Sequence, residues 1–195
     1  MNPARMDIQS LYQRAIKFAT TKHVAENQLV PGSNLPYVVH LSNVAMEILV
    51  AAHYSPNFQL DYAVQLALLH DTLEDTSATF DEIATEFGIE VAKGVSALTK
   101  NDALPKAEKM ADSLRRIKEL STEVWAVKLA DRITNLQVPP NYWSSAKKSE
   151  YRQEAITLLN ELKGGNAYLE KRLNEKIADY EKYISGETSF FFRQD

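Results

Sequence analysis

The sequence contains no cysteine and only four histidines among its 195 residues. The absence of cysteine excludes disulfide bonds and thiolate ligands for a metal. Any bound metal ion must therefore be held by imidazole and carboxylate groups. Because histidine is also scarce, the set of candidate nitrogen ligands is short.

Long apolar runs and basic blocks are also missing. No stretch reaches the roughly 18 apolar residues that a membrane-spanning helix needs, and the N-terminus lacks the apolar core of a signal peptide. These absences predict a cytoplasmic protein without a membrane partner. The net charge is −4. Without a basic block the surface does not favour nucleic acid, whose binding depends on neutralised phosphates, although a small phosphorylated ligand remains compatible.

The apolar residues follow helical spacing almost throughout the chain. From Leu41 to Ala52 they recur at three- and four-residue steps, and Thr79 followed by Glu82 is typical of a capping box. The composition, with 45% hydrophobic and 25% charged residues, is ordinary for one domain over residues 1–195. We therefore predict an all-α, single-domain helical bundle. Besides the helix of the Leu41 stripe, helices are expected at about 6–26, 60–74, 79–88, 88–99, 106–120, 122–139, 143–163 and 166–184.

The segment "ALLHDTLEDT" places ionisable residues directly behind an apolar run. Residues 60–69 are apolar on nearly every side, which predicts a helix through the middle of the bundle. If this helix continues, His70 and Glu74 stand one turn apart, as do Asp71 and Asp75. Three carboxylates that close would repel one another, and a bound divalent cation would remove the repulsion.

One helix cannot surround a metal ion, so further ligands should come from other helices. His40 opens the apolar stripe of the second helix, and Asp131 interrupts an amphipathic helix that carries Asn135 one turn later. Two imidazoles and two carboxylates suit manganese, iron or zinc better than calcium or magnesium. The candidate ligand set is His40, His70, Asp71 and Asp131.

Four segments in this order and spacing carry a family resemblance: "PYVVHLSNVA", "ALLHDTLEDT", "VSALTK" and "VKLADRITNL". The arrangement resembles the HD-domain phosphohydrolase superfamily. It is most similar to the alarmone hydrolase domain of Rel/SpoT proteins and to the small single-domain alarmone hydrolases. The resemblance extends over about residues 10–165 and implies a helical bundle of the HD type, with residues 166–195 as a C-terminal helix and tail.

The resemblance implies a Mn²⁺-dependent enzyme that removes the 3′-pyrophosphate from (p)ppGpp and yields GDP or GTP and pyrophosphate. The four candidate ligands match the manganese ligands of the family. Glu74 and Asp75 match the acidic pair that orients or activates the attacking water. Asn135 matches a residue close to the ribose and the metal, and Tyr151 matches a tyrosine of the substrate pocket.

Two further features bear on the substrate. Lys100 and Lys106 flank a loop that could approach the phosphates, so both are candidate substrate-binding residues. In the family, a basic pair precedes the first ligand histidine, and its arginine packs against the guanine base. Leu29 and Val30 stand at those places here. This departure leaves the adenine counterpart (p)ppApp, or another nucleotide, open as the substrate.

A non-catalytic nucleotide sensor, which would keep the fold and the metal, is the alternative from a different functional class. Glu74 and Asp75 speak against it, because a pure binder does not need a water-activating pair. The expected partners are therefore a small nucleotide and, at most, a second copy of the chain. Another divalent transition metal could replace manganese.

Overall fold

The computed structural model describes residues 6–185, and within them the chain forms helices and one isolated β-bridge. The predicted all-α class is confirmed. No helix in the described range is long and apolar enough to cross a membrane. The predicted tail beyond Ser185 lies outside the described residues. The helices are α1 (Ile8–Ala25), α2 (Val38–His53), α3 (Leu60–Leu69), α4 (Thr72–Asp75), α5 (Phe80–Phe87), α6 (Ile89–Leu98), α7 (Lys106–Lys118), α8 (Thr122–Asn135), α9 (Ser145–Glu161), α10 (Ala167–Asp179) and α11 (Lys182–Ser185).

Side-chain caps begin four of these helices. Asp7, Ser144 and Asn166 each accept a hydrogen bond from the backbone N–H three residues later, at the starts of α1, α9 and α10. Thr79 and Glu82 form the reciprocal capping box that the sequence predicts, and α5 begins there. Such caps satisfy N–H groups that the first helical turn leaves without partners.

Helix α3 forms the centre of the fold. Every residue from Ala63 to Leu69 is buried, as the apolar run predicts. Helices α1, α2, α6 and α8 pack around it. A Cβ atom built at Gly94 of α6 would lie 2.6 Å from Leu66 Cδ2 and 2.7 Å from Tyr62 Oη. Glycine therefore allows α6 to approach α3 closely.

The helix predicted over 60–74 is not continuous, and that prediction is wrong in this detail. Helix α3 ends at Leu69, and α4 begins at Thr72. Thr72 Oγ1 donates a hydrogen bond of 2.6 Å to the carbonyl of Leu69. A side chain that bonds the backbone in this way competes with the helical ladder. The break turns His70 and Asp71 toward α2 and α8, where the candidate site lies.

Candidate metal centre and active site

The side chains predicted as metal ligands meet where three segments of the fold converge. They are His40 in the first turn of α2, His70 and Asp71 between α3 and α4, and Asp131 in α8. The Nε2 atoms of His40 and His70 are 3.3 Å apart. Asp71 Oδ2 lies 2.9 Å from His70 Nε2, and Asp131 Oδ1 lies 3.5 Å from His40 Nε2. All four donor groups therefore face one small space.

These separations fit a bound cation. Ligand atoms about 2.0–2.2 Å from one metal ion are separated from each other by about 3–3.5 Å. The two remaining measured separations, His40 Nε2 to Asp71 Oδ2 and His70 Nε2 to Asp131 Oδ1, are 3.6 and 3.7 Å. His40, His70 and Asp131 are all buried and offer ligand atoms within 4.8 Å of one another. The site can hold a divalent metal ion.

The tautomer of His70 also suits a ligand. Its Nδ1 atom lies 2.8 Å from the carbonyl oxygen of Ala67. Because a carbonyl oxygen can only accept, Nδ1 carries the proton and donates it. When the ring is neutral, the lone pair of Nε2 faces the cluster, which is the usual arrangement for a histidine that binds a metal.

The buried carboxylates of the cluster are stable as anions only beside positive charge. Burial alone would lower the pKa of His70, but the carboxylates of Asp71 and Asp131 outweigh it and raise that pKa to about 10. Burial would raise the pKa of both carboxyls, yet His70 beside Asp71 and Lys128 beside Asp131 hold them well below their usual range. A divalent cation would supply the same positive charge and leave the imidazoles neutral.

A tyrosine that sequence reasoning missed supports Asp71. Tyr37 Oη donates a hydrogen bond of 2.5 Å to Asp71 Oδ2. Burial and the charge of Asp71 raise the pKa of this hydroxyl, so it stays protonated and remains a donor. The Tyr37 ring stacks on His23 at 4.6 Å and contacts His40 at 5.1 Å between centroids. In the sequence, the only indication that Tyr37 belongs to the site is its position three residues before His40.

Two residues of α8 hold the carboxylate of Asp131. Asn135 Nδ2 donates a hydrogen bond of 2.5 Å to Oδ1, and Lys128 Nζ lies 3.1 Å from Oδ2. Asn135 therefore lies beside the cluster, where the resemblance expects it. Lys128 was not predicted as a site residue, although a lysine three positions before an aspartate is a recognisable helical pair.

The two proposed catalytic carboxylates, Glu74 and Asp75, lie in different surroundings. We expected them on one continuous helix with His70 and Asp71, but the helix breaks between Leu69 and Thr72. Glu74 accepts hydrogen bonds from the backbone N–H and from Nζ of Lys100, at 3.0 and 2.6 Å. Burial, followed by the charges of Asp71 and Glu74, raises the pKa of Asp75 to about 6. Asp75 is therefore the member of the pair suited to accept a proton near neutral pH.

A cavity of about 470 Å³ opens beside His40 and Asn135. The loop after α1 forms one side of it, and the loop after α8 forms the other. A Cβ atom on Gly32 would lie 3.2 Å from Pro140 Cγ, so the two loops nearly touch. The described lining residues include no aspartate, glutamate, lysine or arginine, and His40 is the one histidine among them. We call this space the nucleoside cavity, after the ligand that is proposed for it below.

Three aromatic residues stand together in the lining of the nucleoside cavity. Tyr151, predicted as a substrate residue, lies there with Trp143 at 5.1 Å and Tyr180 at 6.3 Å between ring centroids. Burial raises the pKa of Tyr151 to about 12, so its hydroxyl stays protonated. Tyr180 is 1% exposed, and its hydroxyl has no hydrogen-bond partner among the described atoms. It was missed because it lies far along the chain from the recognised motifs.

The predicted substrate-binding lysines line a different space. Lys100 and Lys106 belong to a cavity of about 290 Å³ among α7, α8 and α9. We call it the basic cavity. Lys100 connects this cavity to the active site through its ion pair with Glu74.

Comparisons with known proteins show the family and the fold of the chain. The HD domain family matches residues 15–165. A Xenopus tropicalis protein named guanosine-3′,5′-bis(diphosphate) 3′-pyrophosphohydrolase MESH1 is 35% identical over 175 residues, which cover 87% of this chain and 94% of that protein. The Danio rerio protein of the same name is 34% identical over 164 residues, with 82% and 88% covered. A solved structure described as a metazoan ortholog of SpoT that hydrolyses ppGpp matches with a TM-score of 0.75 and 28% identity, and 87% of this chain and 95% of that chain are covered.

Proposed function

The chain belongs to the HD domain family, and from this premise we propose that it is a metal-dependent (p)ppGpp 3′-pyrophosphohydrolase. The reaction uses water and yields GDP or GTP together with pyrophosphate. The observation that carries the proposal is the buried cluster of His40, His70 and Asp131, with Asp71 2.9 Å from His70, beside a cavity of about 470 Å³ that His40 also lines. The names of the relatives support the same reaction.

Manganese is the proposed ion. His40, His70, Asp71 and Asp131 would hold it, since two nitrogen and two oxygen ligands suit Mn²⁺ well. When bound, the cation supplies positive charge against the phosphate oxygens and lowers the pKa of water. Tyr37 keeps the Asp71 carboxylate in place through its hydrogen bond.

Asp75 is the proposed general base. Water attacks the phosphorus next to the ribose, the bond from that phosphorus to the ribose 3′ oxygen breaks, and pyrophosphate is released. The proton lost by the water passes to the Asp75 carboxylate, whose pKa of about 6 makes it a suitable acceptor. The ribose 3′ oxygen takes up one proton as its bond to phosphorus breaks, so the nucleotide leaves with a free 3′ hydroxyl, and the protonated Asp75 carboxyl is the proposed source of that proton. Glu74, fixed by Lys100, orients the reacting water from the neighbouring position.

The nucleoside is proposed to lie in the nucleoside cavity, with Asn135 near the ribose and Tyr151 against the base or sugar. Leu29 is 49% exposed and forms the isolated β-bridge with Pro36. It lies outside the cavity lining, whereas Val30 belongs to it. Base recognition would therefore use amide, hydroxyl and apolar groups in place of an arginine.

The described lining contains no arginine or lysine to stack on guanine, so (p)ppApp is proposed as a second candidate substrate. The deciding experiment incubates the purified protein with Mn²⁺ and either ppGpp or ppApp, and separates pyrophosphate from orthophosphate. Release of pyrophosphate from ppGpp supports the leading proposal. Orthophosphate as the main product would contradict it, and tight binding of ppGpp without turnover would favour the nucleotide sensor.

Two other expectations belong to this proposal. We expect a cytoplasmic enzyme, because its proposed substrate is a free nucleotide. The second copy of the chain that the sequence allows stays a prediction, and analytical ultracentrifugation would measure it.

A further inference from the structure

A glutamine outside the recognised motifs, Gln28, contacts the backbone of the proposed general base. Its Nε2 atom donates a hydrogen bond of 2.5 Å to the carbonyl oxygen of Asp75. Asp75 is the last residue of α4, which is only four residues long. The last carbonyl groups of a helix have no partner within the helix, and so short a helix is not stable alone. Contacts from outside α4 must therefore fix the position of Asp75.

The end of α1 fixes the backbone of Gln28. The Gln28 N–H donates a hydrogen bond of 3.1 Å to the carbonyl of His23. The N–H of Asn27, a residue with a positive φ of 55°, donates one of 3.0 Å to the carbonyl of Val24. This combination is a Schellman motif, in which a left-handed residue ends the helix. The Gln28 carbonyl accepts a hydrogen bond of 3.3 Å from the N–H of Tyr37, so both backbone groups of Gln28 are bonded.

His23 fixes the direction of the Gln28 side-chain amide. Because the Asp75 carbonyl can only accept, the amide nitrogen of Gln28 faces it, and Oε1 lies 2.6 Å from His23 Nδ1. Nδ1 therefore carries the proton and donates it. Burial lowers the pKa of His23, so the ring is neutral. A reversed amide would place its oxygen against the Asp75 carbonyl oxygen and lose this hydrogen bond.

The same residues connect Asp75 to Asp71 of the cluster. The Tyr37 ring stacks on His23, and its hydroxyl donates a hydrogen bond to Asp71 Oδ2. The Asp75 N–H donates a hydrogen bond of 2.9 Å to the Asp71 carbonyl. Asp75 is thus held at its N–H by Asp71 and at its carbonyl by Gln28. Both of its backbone groups are fixed relative to the cluster.

We propose that Gln28 is a positioning residue that keeps the Asp75 carboxylate in place to accept a proton from water, and that His23 keeps the Gln28 amide in its orientation. This inference rests on the proposed function. Gln28 lies outside the described lining of the nucleoside cavity and outside the cluster, so its effect passes through Asp75. A general base must lie within hydrogen-bond distance of the proton that it accepts, so a small displacement slows the chemical step.

Gln28→Met tests the inference, because methionine has a similar length and lacks both the donor and the acceptor of the amide. Steady-state kinetics of the manganese-loaded variant with ppGpp would measure the effect. We expect kcat to fall about tenfold or more, as for a displaced catalytic group. The Michaelis constant and the manganese content should not change, since Gln28 contacts neither the cavity nor the cluster. A higher Michaelis constant with unchanged kcat would overturn the inference.

Gln65→Met is the matched control. Gln65 Nε2 donates a hydrogen bond of 2.7 Å to the carbonyl of Asp61, and Gln65 belongs to neither the cluster nor the nucleoside cavity. Both variants lose a glutamine hydrogen bond to a backbone carbonyl, so both unfolding midpoints should fall by about 2–4 °C. Turnover should fall only in Gln28→Met. Equal turnover in the two variants would overturn the inference.

A double substitution separates positioning from a general structural role. Residual turnover of Asp75→Asn would be measured with and without Gln28→Met. Because Gln28 acts through the Asp75 carboxylate, the second substitution should change the residual turnover by less than about twofold. A further tenfold fall would mean that Gln28 supports the site in another way, and it would overturn the inference.

Hydrogen exchange tests the contact without turnover. In substrate-free Gln28→Met, the amides of residues 72–78 should exchange about threefold to tenfold faster, as for the loss of one hydrogen bond, while those of α10 should not change. Unchanged exchange over 72–78 would overturn the inference even if ppGpp is hydrolysed. Absence of ppGpp hydrolysis by the unmodified protein would contradict the proposed function alone, because the exchange rates still decide whether Gln28 holds Asp75.

Discussion

Asp75→Asn should stabilise the metal-free protein against unfolding. The same substitution should remove most of the activity of the manganese-loaded protein. A carboxyl whose pKa rises from 3.8 to about 6 is less stable as an anion in the folded state. That difference corresponds to about 3 kcal/mol at full effect. Because Asp75 is half-buried, solvent screening reduces this penalty to about 1 kcal/mol. The neutral amide of asparagine avoids the penalty.

The sign of the effect depends on pH. Since the folded-state pKa of Asp75 is above the unfolded value, the folded protein binds more protons between about pH 4 and pH 6. Stability contributed by this group is present below about pH 4 and is lost as the pH rises through 6. The gain in unfolding free energy from Asp75→Asn should therefore be complete at about pH 7 and absent below about pH 4.

Thermal unfolding of the metal-free variant would measure this effect. For a chain of this length, about 1 kcal/mol corresponds to a rise of about 2–4 °C in the unfolding midpoint. Turnover of the manganese-loaded variant should fall about a hundredfold or more, as for the loss of a general base, while the metal content is retained. Glu175→Gln replaces an exposed carboxylate of α10 and serves as the control. It should change neither the unfolding midpoint nor the turnover.

Three results would contradict this reasoning. A lower unfolding midpoint for Asp75→Asn at about pH 7 would mean that the carboxylate stabilises the fold. Unchanged turnover would remove Asp75 from the chemistry. Parallel loss of metal and activity would instead make Asp75 a ligand.

Three further predictions concern the cluster and the base. Asp131→Ala should abolish or greatly weaken manganese binding, since the cation loses one ligand and the negative charge that it carried; stoichiometric metal by elemental analysis, with activity intact, would exclude this role. Tyr37→Phe removes only the hydroxyl that donates a hydrogen bond to Asp71. Metal affinity, measured by competition with a chelator, should fall about tenfold to a hundredfold. Unchanged affinity would show that this hydrogen bond does not support the site. Leu29→Arg should lower the Michaelis constant for ppGpp more than that for ppApp, by about tenfold if the new side chain stacks on guanine; equal constants in both proteins would show that the loop does not read the base.

The helices and the candidate metal ligands could be recognised in the sequence because both depend on local patterns. The apolar steps from Leu41 to Ala52 and the run over 60–69 match α2 and the buried α3. The pair of His70 and Asp71 behind an apolar run indicated charge at the edge of the core. Burial without a counter-charge is unfavourable, so the residue types themselves indicated a bound cation.

The break at His70 could not be predicted from periodicity. Apolar spacing is the same whether a helix continues or stops, and the stop here depends on hydrogen bonds of Thr72 and His70 to backbone carbonyls. The break also separated Glu74, which is bound by Lys100, from Asp75, which has a raised pKa. Lys100 is 26 residues from Glu74 along the chain, so no local pattern connects them.

The sequence by itself determined the all-α class, the capping box and the side chains able to bind a metal, because each depends on residue type and near neighbours. Only the tertiary structure decided what surrounds those side chains. It brought Tyr37 to Asp71, buried the Tyr180 hydroxyl beside the nucleoside cavity, and collected Lys109 and Arg132 in the basic cavity. Burial and the charges of residues distant in sequence set pKa values and ligand affinity, and both arise only when the helices pack.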